Sequence, residues 1–491
     1  MPVSHQPNII LVMTDQHRFD RLGCMGDSLL DTPCIDSVAA EGVRFTNAYA
    51  ASPVCAPSRA ALKSGRYPPG CGVVGNWVPF HESAPELVTH RLSAAGYQTA
   101  MVGKLHFVPA EDAYGFDWKV LHDAPYSVYA WDDRHSEYIR WLRETTYRGR
   151  DVDPVAQFDE DENAFKCDDW YRFTMGSAFR SEEEHDIPWT VAQAERYLDE
   201  RDRERPFFLY VSFFGPHQPF EPPAPWNRLY DPREITLPPQ FDADMRDCPI
   251  FQATCAARAA KFKARWDRET YQRMVAAYYG QIAMIDHYLG RLFRRLRREG
   301  LWDDTLVVFT SDHGDHNGAY GLFFKGEMYD SCAKVPLLIK PPKQALGAFA
   351  PGAVREEVVN LLDLYGTFLD AAGDTQWRRA EIEARSLWTL AVGADVAWDN
   401  QTYAIIGERA DANLTMLRRD YLKLIRKARP GDEPLYELYD MNDAVVDVRN
   451  RIGEARYSEA CASLVAQLEG WCREQAARYP RQIDRSYRRT D

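Results

Sequence analysis

Three things are missing from this 491-residue chain: a long apolar run, a closely spaced pair of cysteines and an excess of positive charge. Its longest apolar stretches, such as PFFLYVSFF at 206–214, fall far short of the roughly 20 residues a membrane-spanning helix needs, so no membrane partner is expected. The ten cysteines are scattered and form no CxxC pair, which argues against both a disulfide framework and a zinc site. Lys and Arg number 59 against 73 Asp and Glu, a net charge of −14, and this excludes a general nucleic-acid binder. Any anionic ligand must therefore be drawn in by a local cluster of cations. The opening MPVSHQPNIILVMTDQ shows no basic stretch followed by a long apolar one, so no secretory signal is expected and a reducing, cytoplasmic location is the simplest expectation.

What is present is enough to build a large core, since 45% of the residues are hydrophobic and 27% charged. Buried strands alternate with amphipathic helices. NIILVMT (8–14) is a continuous apolar run of strand length, IDSVAAEG (35–42) a short helix closed by glycine, and APELVTHRLSAAGY (84–97) a helix leading into the strand QTAMVGK (98–104). A helical segment at 189–201 precedes PFFLYVSFF, and the long periodic segment 267–300 precedes TLVVFTSDHG (305–314). Helix followed by apolar strand, repeated, predicts an α/β fold with a large, mainly parallel sheet covered by helices on both faces. From about 400 the texture changes: 415–427 reads as a hairpin turning at Arg419–Asp420, and 454–479 as one amphipathic helix. We expect a catalytic α/β domain over 1–395, with long irregular insertions at about 110–185 and 215–265, and a C-terminal α+β subdomain over 396–491.

In open α/β sheets ligands sit beyond the carboxyl ends of the strands, and polar residues fall there repeatedly. Asp15 and Gln16 close the first strand, Lys104 and His106 follow the second, His217 follows FFLYVSFF, and Asp312 and His313 follow TLVVFTS, with Lys325 further on. Taken singly, an Asp at a strand end is a turn or cap residue, a lone His a loop residue and a Lys a solvated charge. Four strand ends that all carry oxygen ligands or cations point instead to one site.

CAPSR at 55–59 resembles the CxPSR signature of the type I sulfatases of the alkaline phosphatase superfamily, in which the cysteine is oxidised after translation to formylglycine. The resemblance covers most of the chain, through NIILVMTDQ, the segment 32–68 around CAPSR, GKLHF, PFFLYVSFFGPHQPF, 303–340 and LYELYDMNDAVVDVRN, and its pattern is similar to bacterial choline-sulfatase-like enzymes and arylsulfatases. It implies an alkaline phosphatase-like fold and hydrolysis of a small-molecule sulfate monoester to alcohol and inorganic sulfate. It also implies a partner during maturation, a formylglycine-generating enzyme. By the same resemblance Asp15, Gln16, Asp312 and His313, with an oxygen of modified Cys55, are the ligands of one divalent cation. Oxygen ligands favour Ca²⁺ or Mg²⁺, and the imidazole leaves Mn²⁺ open. Cys55 is the implied nucleophile, at a helix N-terminus that stabilises anions. Arg59 orients it, Lys104 neutralises charge, His106 is the base of the elimination step, and His217 and Lys325 face the leaving oxygen.

Gln16 and His313 stand where many relatives carry Asp and Asn, and that pattern is shared with phosphonate monoester and phosphodiester hydrolases, the alternative function. Lys104 with His106 resembles the GKxHF of choline-sulfatase-like enzymes and favours the sulfatase. A non-catalytic binder of sulfate esters is the reading from another class, and the complete set of site residues argues against it. Trp118, Trp131, Trp170 and Trp226 are either packing residues or platforms for the alcohol. A homo-oligomer is expected from the aromatic content and the C-terminal helix.

Overall fold

The computed structural model describes residues 6–80, 86–123, 136–145, 181–345, 350–379, 381–394, 396–409, 412–429 and 431–480. Strand β1 (Asn8–Thr14) is buried along its whole length, as its unbroken apolar run requires of a strand covered on both faces. It lies inside an eight-stranded sheet with β2 (Val43–Tyr49), β3 (Gln98–Gly103), β4 (Trp118–Leu121), β5 (Phe207–Ser212), β6 (Thr305–Ser311), β7 (Leu337–Lys340) and β8 (Ala353–Asn360). The order is β4-β3-β5-β1-β6-β7-β2-β8. Ile9 stands opposite Phe208 of β5 and Leu306 of β6 in parallel register, and β7 alone runs antiparallel to its neighbours. Alternation along β1 divides the core: Ile10 and Val12 pack with Met274, Ile282 and Leu289 of the Arg268–Arg298 helix, whereas Ile9, Leu11 and Met13 pack with Ala60, Leu364 and Phe368. Helices thus cover both faces of a mainly parallel sheet, as the alternation of helix and apolar strand predicts.

A second sheet, fully antiparallel, is built from β9 (Gln401–Arg409), β10 (Ala412–Arg419), β11 (Leu422–Lys427) and β12 (Leu435–Asp440) in the order β12-β11-β10-β9. The Ser458–Arg478 helix covers it, and Trp471 of that helix stacks on Tyr403 with ring centroids 4.6 Å apart. The hairpin tip differs by one residue from the sequence expectation. Arg419 pairs with Leu422, so Asp420 and Tyr421 form the two-residue loop, and Asp420 takes the left-handed conformation at φ 50° that such a tight loop demands.

The two expected insertions are more regular than their Trp- and Pro-rich composition suggests. The first supplies edge strand β4 and the Glu137–Thr145 helix, and the second ends in helices Pro249–Thr254 and Ala256–Arg265. Phe251, Cys255, Ala259 and Phe262 are buried at helical spacing there, a signal that the irregular stretch before them obscures. Of the candidate tryptophan platforms, Trp118 packs on Tyr197 at 5.5 Å and Trp226 on His287 at 5.3 Å, whereas Trp131 and Trp170 lie outside the described residues. Among the described residues no helix is long and apolar enough to cross a membrane.

Candidate active site

The carboxyl ends of five strands converge on the first turn of the Cys55–Ser64 helix. Asp15 and Gln16 follow β1, Cys55 lies in the turn after β2, Lys104 and His106 follow β3, His217 follows β5, and Asp312 and His313 follow β6. Backbone bonds between neighbouring strand ends fix these turns: Asp312 N donates to Thr14 O at 3.2 Å, Asp15 N to Gly215 O at 3.2 Å and Lys104 N to Ser212 O at 3.0 Å.

Cys55 is the first residue of its helix, whose preceding residue, Val54, offers no side-chain cap, so the positive end of the helix faces whatever sits at residue 55. The side chain of Cys55 marks where a modified residue would present its oxygen atoms. Its Sγ lies 3.1 Å from His313 Nε2 and 3.8 Å from Asp15 Oδ1. Burial and Asp15 push this thiol up, but Lys325, Lys104 and His313 outweigh them and hold it well below the ordinary thiol value.

Asp15, Cys55, Asp312 and His313 form a buried group whose ligand atoms all lie within 4.8 Å of one another. Their chemistry fits a divalent cation. His313 Nδ1 stands 2.8 Å from the Gly314 carbonyl, which can only accept, so the hydrogen resides on Nδ1 and the Nε2 lone pair faces the carboxylates. Burial opposes a charge on His313, and Asp312 and Cys55 overcome it and raise the imidazole. Asp312 is itself raised by burial and by Asp15. Asp15 is desolvated too, yet Lys104, His217, Lys325 and Arg59 hold it well below the usual carboxylate value. Two close carboxylates, only one of them strongly acidic, beside an imidazole that gains a proton, are groups whose protons a cation would displace.

Gln16 touches this cluster through its backbone, its N–H donating to Asp312 Oδ1 at 3.1 Å, while its side chain bonds other partners. Its Oε1 accepts from Lys325 Nζ at 2.5 Å, and its Nε2 donates to Gln218 Oε1 at 2.7 Å and to Asp315. Arg59 has its described hydrogen bonds on the frame of the site. Nε donates to Asp312 Oδ2 at 2.8 Å and Nη2 to Asp15 Oδ2 at 3.2 Å, while Nη1 reaches Lys104 O, Tyr210 Oη and Ser212 Oγ. Lys104 Nζ lies 2.5 Å from Asp15 Oδ2 and 4.4 Å from the Phe214 ring centroid. His106 sits at φ 62°, its N–H bound to Asp123 Oδ1 at 2.8 Å and its ring 5.3 Å from Trp77, and its buried Nδ1 has no partner. His217 Nδ1 is 2.7 Å from the Gln218 carbonyl, leaving Nε2 as the atom that can exchange a proton. Burial and Lys325 keep this imidazole well below its usual pKa, so at neutral pH Nε2 accepts.

Four residues went unread in the sequence. Asn76 Oδ1 accepts from Ala56 N at 3.0 Å, directly beside the nucleophile position. Asp315 and Gln218 orient Gln16, and Asp123 holds the turn carrying Lys104 and His106, accepting from Leu105 N at 2.6 Å as well. Only Asp315, inside SDHGDHNG, carried a local signal.

A sequence model of the sulfatase family matches residues 7–374, and one described as N-sulphoglucosamine sulphohydrolase, C-terminal, matches residues 318–474. An arylsulfatase of Clostridium perfringens is 30% identical over 480 residues, 95% of each chain. A choline-sulfatase of Rhizobium meliloti is 31% identical over 374 residues, 75% of this chain and 68% of its own. Among solved structures, a phosphonate monoester hydrolase of Agrobacterium radiobacter superposes with a TM-score of 0.79 at 23% identity over 96% of each chain, a likeness of fold.

Proposed function

Because this chain belongs to the sulfatase family and is a sulfuric ester hydrolase, we propose that Cys55, oxidised to formylglycine, is its nucleophile, beside a single divalent cation held by Asp15, Asp312 and His313. The observation that carries this reading is the convergence of those side chains on the buried first turn of the Cys55–Ser64 helix. The hydrate of formylglycine supplies one hydroxyl to attack sulfur and a second whose proton loss releases sulfate. A cation held by Asp15, Asp312 and His313 would draw charge from the sulfate and lower the pKa of the attacking hydroxyl. Two carboxylates favour Ca²⁺, with Gln16 joining the ligands if its bond to Lys325 is exchanged, and Mg²⁺ and Mn²⁺ are the competing ions.

The chain's own residues do the rest. Arg59 and Lys104 balance the two carboxylates. His106, with Nδ1 unengaged, takes the proton in the elimination step. Since His217 Nε2 is an acceptor in the resting site, Lys325 is the donor to the leaving oxygen, and His217 orients it. Every residue from Cys55 to Ser64 is buried, so the formylglycine-generating enzyme acts before the chain folds. The cysteines among the described residues are free thiols, which supports a reducing, cytoplasmic compartment, and the homo-oligomer belongs to the same proposal.

The test is a series of sulfate, phosphonate and phosphodiester substrates sharing one leaving group. The sulfate should show the highest kcat/KM, and His106→Ala should lower it by at least about 100-fold. A preference for the phosphonate, with His106→Ala near wild type, would transfer the assignment to phosphonate hydrolysis.

A further inference from the structure

Trp77 is a large apolar ring at a place where burial gives no reason for one. It is 47% exposed, and its φ of 71° lies in the left-handed region that a bulky residue adopts only at a cost. The loop that carries it is clamped at both ends. Asn76 Oδ1 accepts from Ala56 N at 3.0 Å, next to Cys55, while Phe80 N donates to Val108 O at 2.8 Å and the buried Phe80 ring packs on Phe107 at 5.0 Å. Trp77 is therefore held between the first turn of the Cys55–Ser64 helix and the turn that carries His106.

Its ring meets that of His106 edge to face, with centroids 5.3 Å apart and planes at 70°. His106 is left-handed too, at φ 62°, and is only 8% exposed with Nδ1 unpartnered. Two strained residues thus touch at the reacting centre, one enclosed and carrying the nitrogen that takes a proton, the other reaching into solvent. Strain of this kind persists only where the surroundings enforce it, and the clamps on the Trp77 loop do so. Apolar ring surface held in water regains burial when a ligand covers it, which makes Trp77 the wall against which the non-reacting part of a substrate rests.

We propose that Trp77 is the specificity-determining residue for the alcohol half of the ester, a platform on which an aromatic alcohol rests while its sulfate reaches residue 55, so that the preferred substrate is an aryl sulfate. This rests on the sulfatase reading above. A flat ring covers the exposed indole with little ordering cost, whereas a flexible alkyl chain must give up rotamer freedom to do the same. An ammonium group is also drawn to an indole face, but Lys104 and Lys325 already direct positive charge at residue 55 and oppose another cation beside it.

The experiment compares phenyl sulfate, a fluoroalkyl sulfate whose alcohol matches phenol in acidity, and trimethylammonioethyl sulfate on the wild type, Trp77→Gly and Trp77→Phe. Glycine removes the ring and adopts the left-handed backbone freely, and Trp77→Asn, which also tolerates it, decides if the glycine variant fails to fold. We expect wild-type kcat/KM for phenyl sulfate to exceed that for both other esters by about tenfold or more. Trp77→Gly should bring the phenyl-to-fluoroalkyl ratio close to one by raising KM for phenyl sulfate, and Trp77→Phe should restore most of it. A lead for the trimethylammonium ester, a ratio that loss of the ring leaves unchanged, or an equal fall in kcat for all three esters, the mark of a mere prop for His106, would overturn the proposal. Turnover of the three esters without an aryl preference defeats this inference and leaves the sulfatase reading intact. If no sulfate ester turns over, that reading fails, and calorimetric affinity for phenylmethanesulfonate, the unreactive methylene analogue, decides the platform: a loss of about tenfold in Trp77→Gly supports it and an unchanged affinity overturns it.

Discussion

Arg59 shows how far a single side chain can organise a reacting centre by holding both of its carboxylates. Its guanidinium lies between Asp15 and Asp312 and extends to the ends of β3 and β5, with no exposed side-chain surface. Burying two carboxylates this close raises one of them, and Arg59 acts on both in the opposite direction, favouring the charged forms that a cation binds. Arg59→Lys retains the charge but cannot fork between two carboxylates, so it should lose activity by at least about 100-fold together with bound metal. Steady-state kinetics and elemental analysis on the same preparation check this. Near-wild-type values for both would remove Arg59 from the frame.

At the scale of elements, legibility followed burial. β1, β3, β5 and β6 are readable because fully buried strands are continuous apolar runs, and the polar residue that ends each run marks where the chain leaves the sheet, so the sequence alone places Asp15, Lys104 and Asp312. Asn76, Gln218 and Asp123 were not readable, since they act from loops whose course no periodicity encodes. The same holds for a helix cap supplied from a distance. The Pro33–Glu41 helix has no side-chain cap of its own, and Asp286 of the Arg268–Arg298 helix accepts from its first N–H groups, Ile35 N at 2.7 Å and Cys34 N at 3.2 Å. Burial pushes the Asp286 carboxyl up to about 6, against those two donors. Between its ordinary value of 3.8 and about 6 the native state therefore holds more protons than the unfolded chain, and this group's contribution to stability falls as pH rises through that window. Asp286→Asn removes the titration. Relative to wild type the variant should gain stability from pH 4 to pH 7, by up to about 3 kcal/mol, in denaturant unfolding. A difference independent of pH would show that Asp286 titrates normally.

At the scale of the whole molecule, the two sheets are joined by buried charge as well as by apolar packing. Lys423 of β11 places Nζ 2.6 Å from Asp330 Oδ1, beneath the active-site loops, and 2.6 Å from Asp447 Oδ1, while Tyr49 at the end of β2 donates to Asp330 Oδ1 at 3.1 Å. Ile405 N of β9 also bonds Ala51 O, four residues before Cys55. Lys423→Met strands two buried carboxylates and should lower the unfolding free energy by about 3–5 kcal/mol, part of which Lys423→Met with Asp447→Asn should restore. Calorimetric unfolding of the single and double variants reads this directly, and a single variant as stable as wild type would mean that the network does not tie the sheets together.

The account stands on the chemical state of Cys55 in the intact molecule, and one measurement reaches it. Protein made with and without a formylglycine-generating enzyme gives preparations that differ in the fraction of residue 55 converted, which peptide mass spectrometry quantifies, and sulfate release is assayed on each. We predict that kcat rises in proportion to the converted fraction and extrapolates to nothing at zero conversion. Full sulfate release from protein whose Cys55 is wholly unmodified thiol would contradict the account.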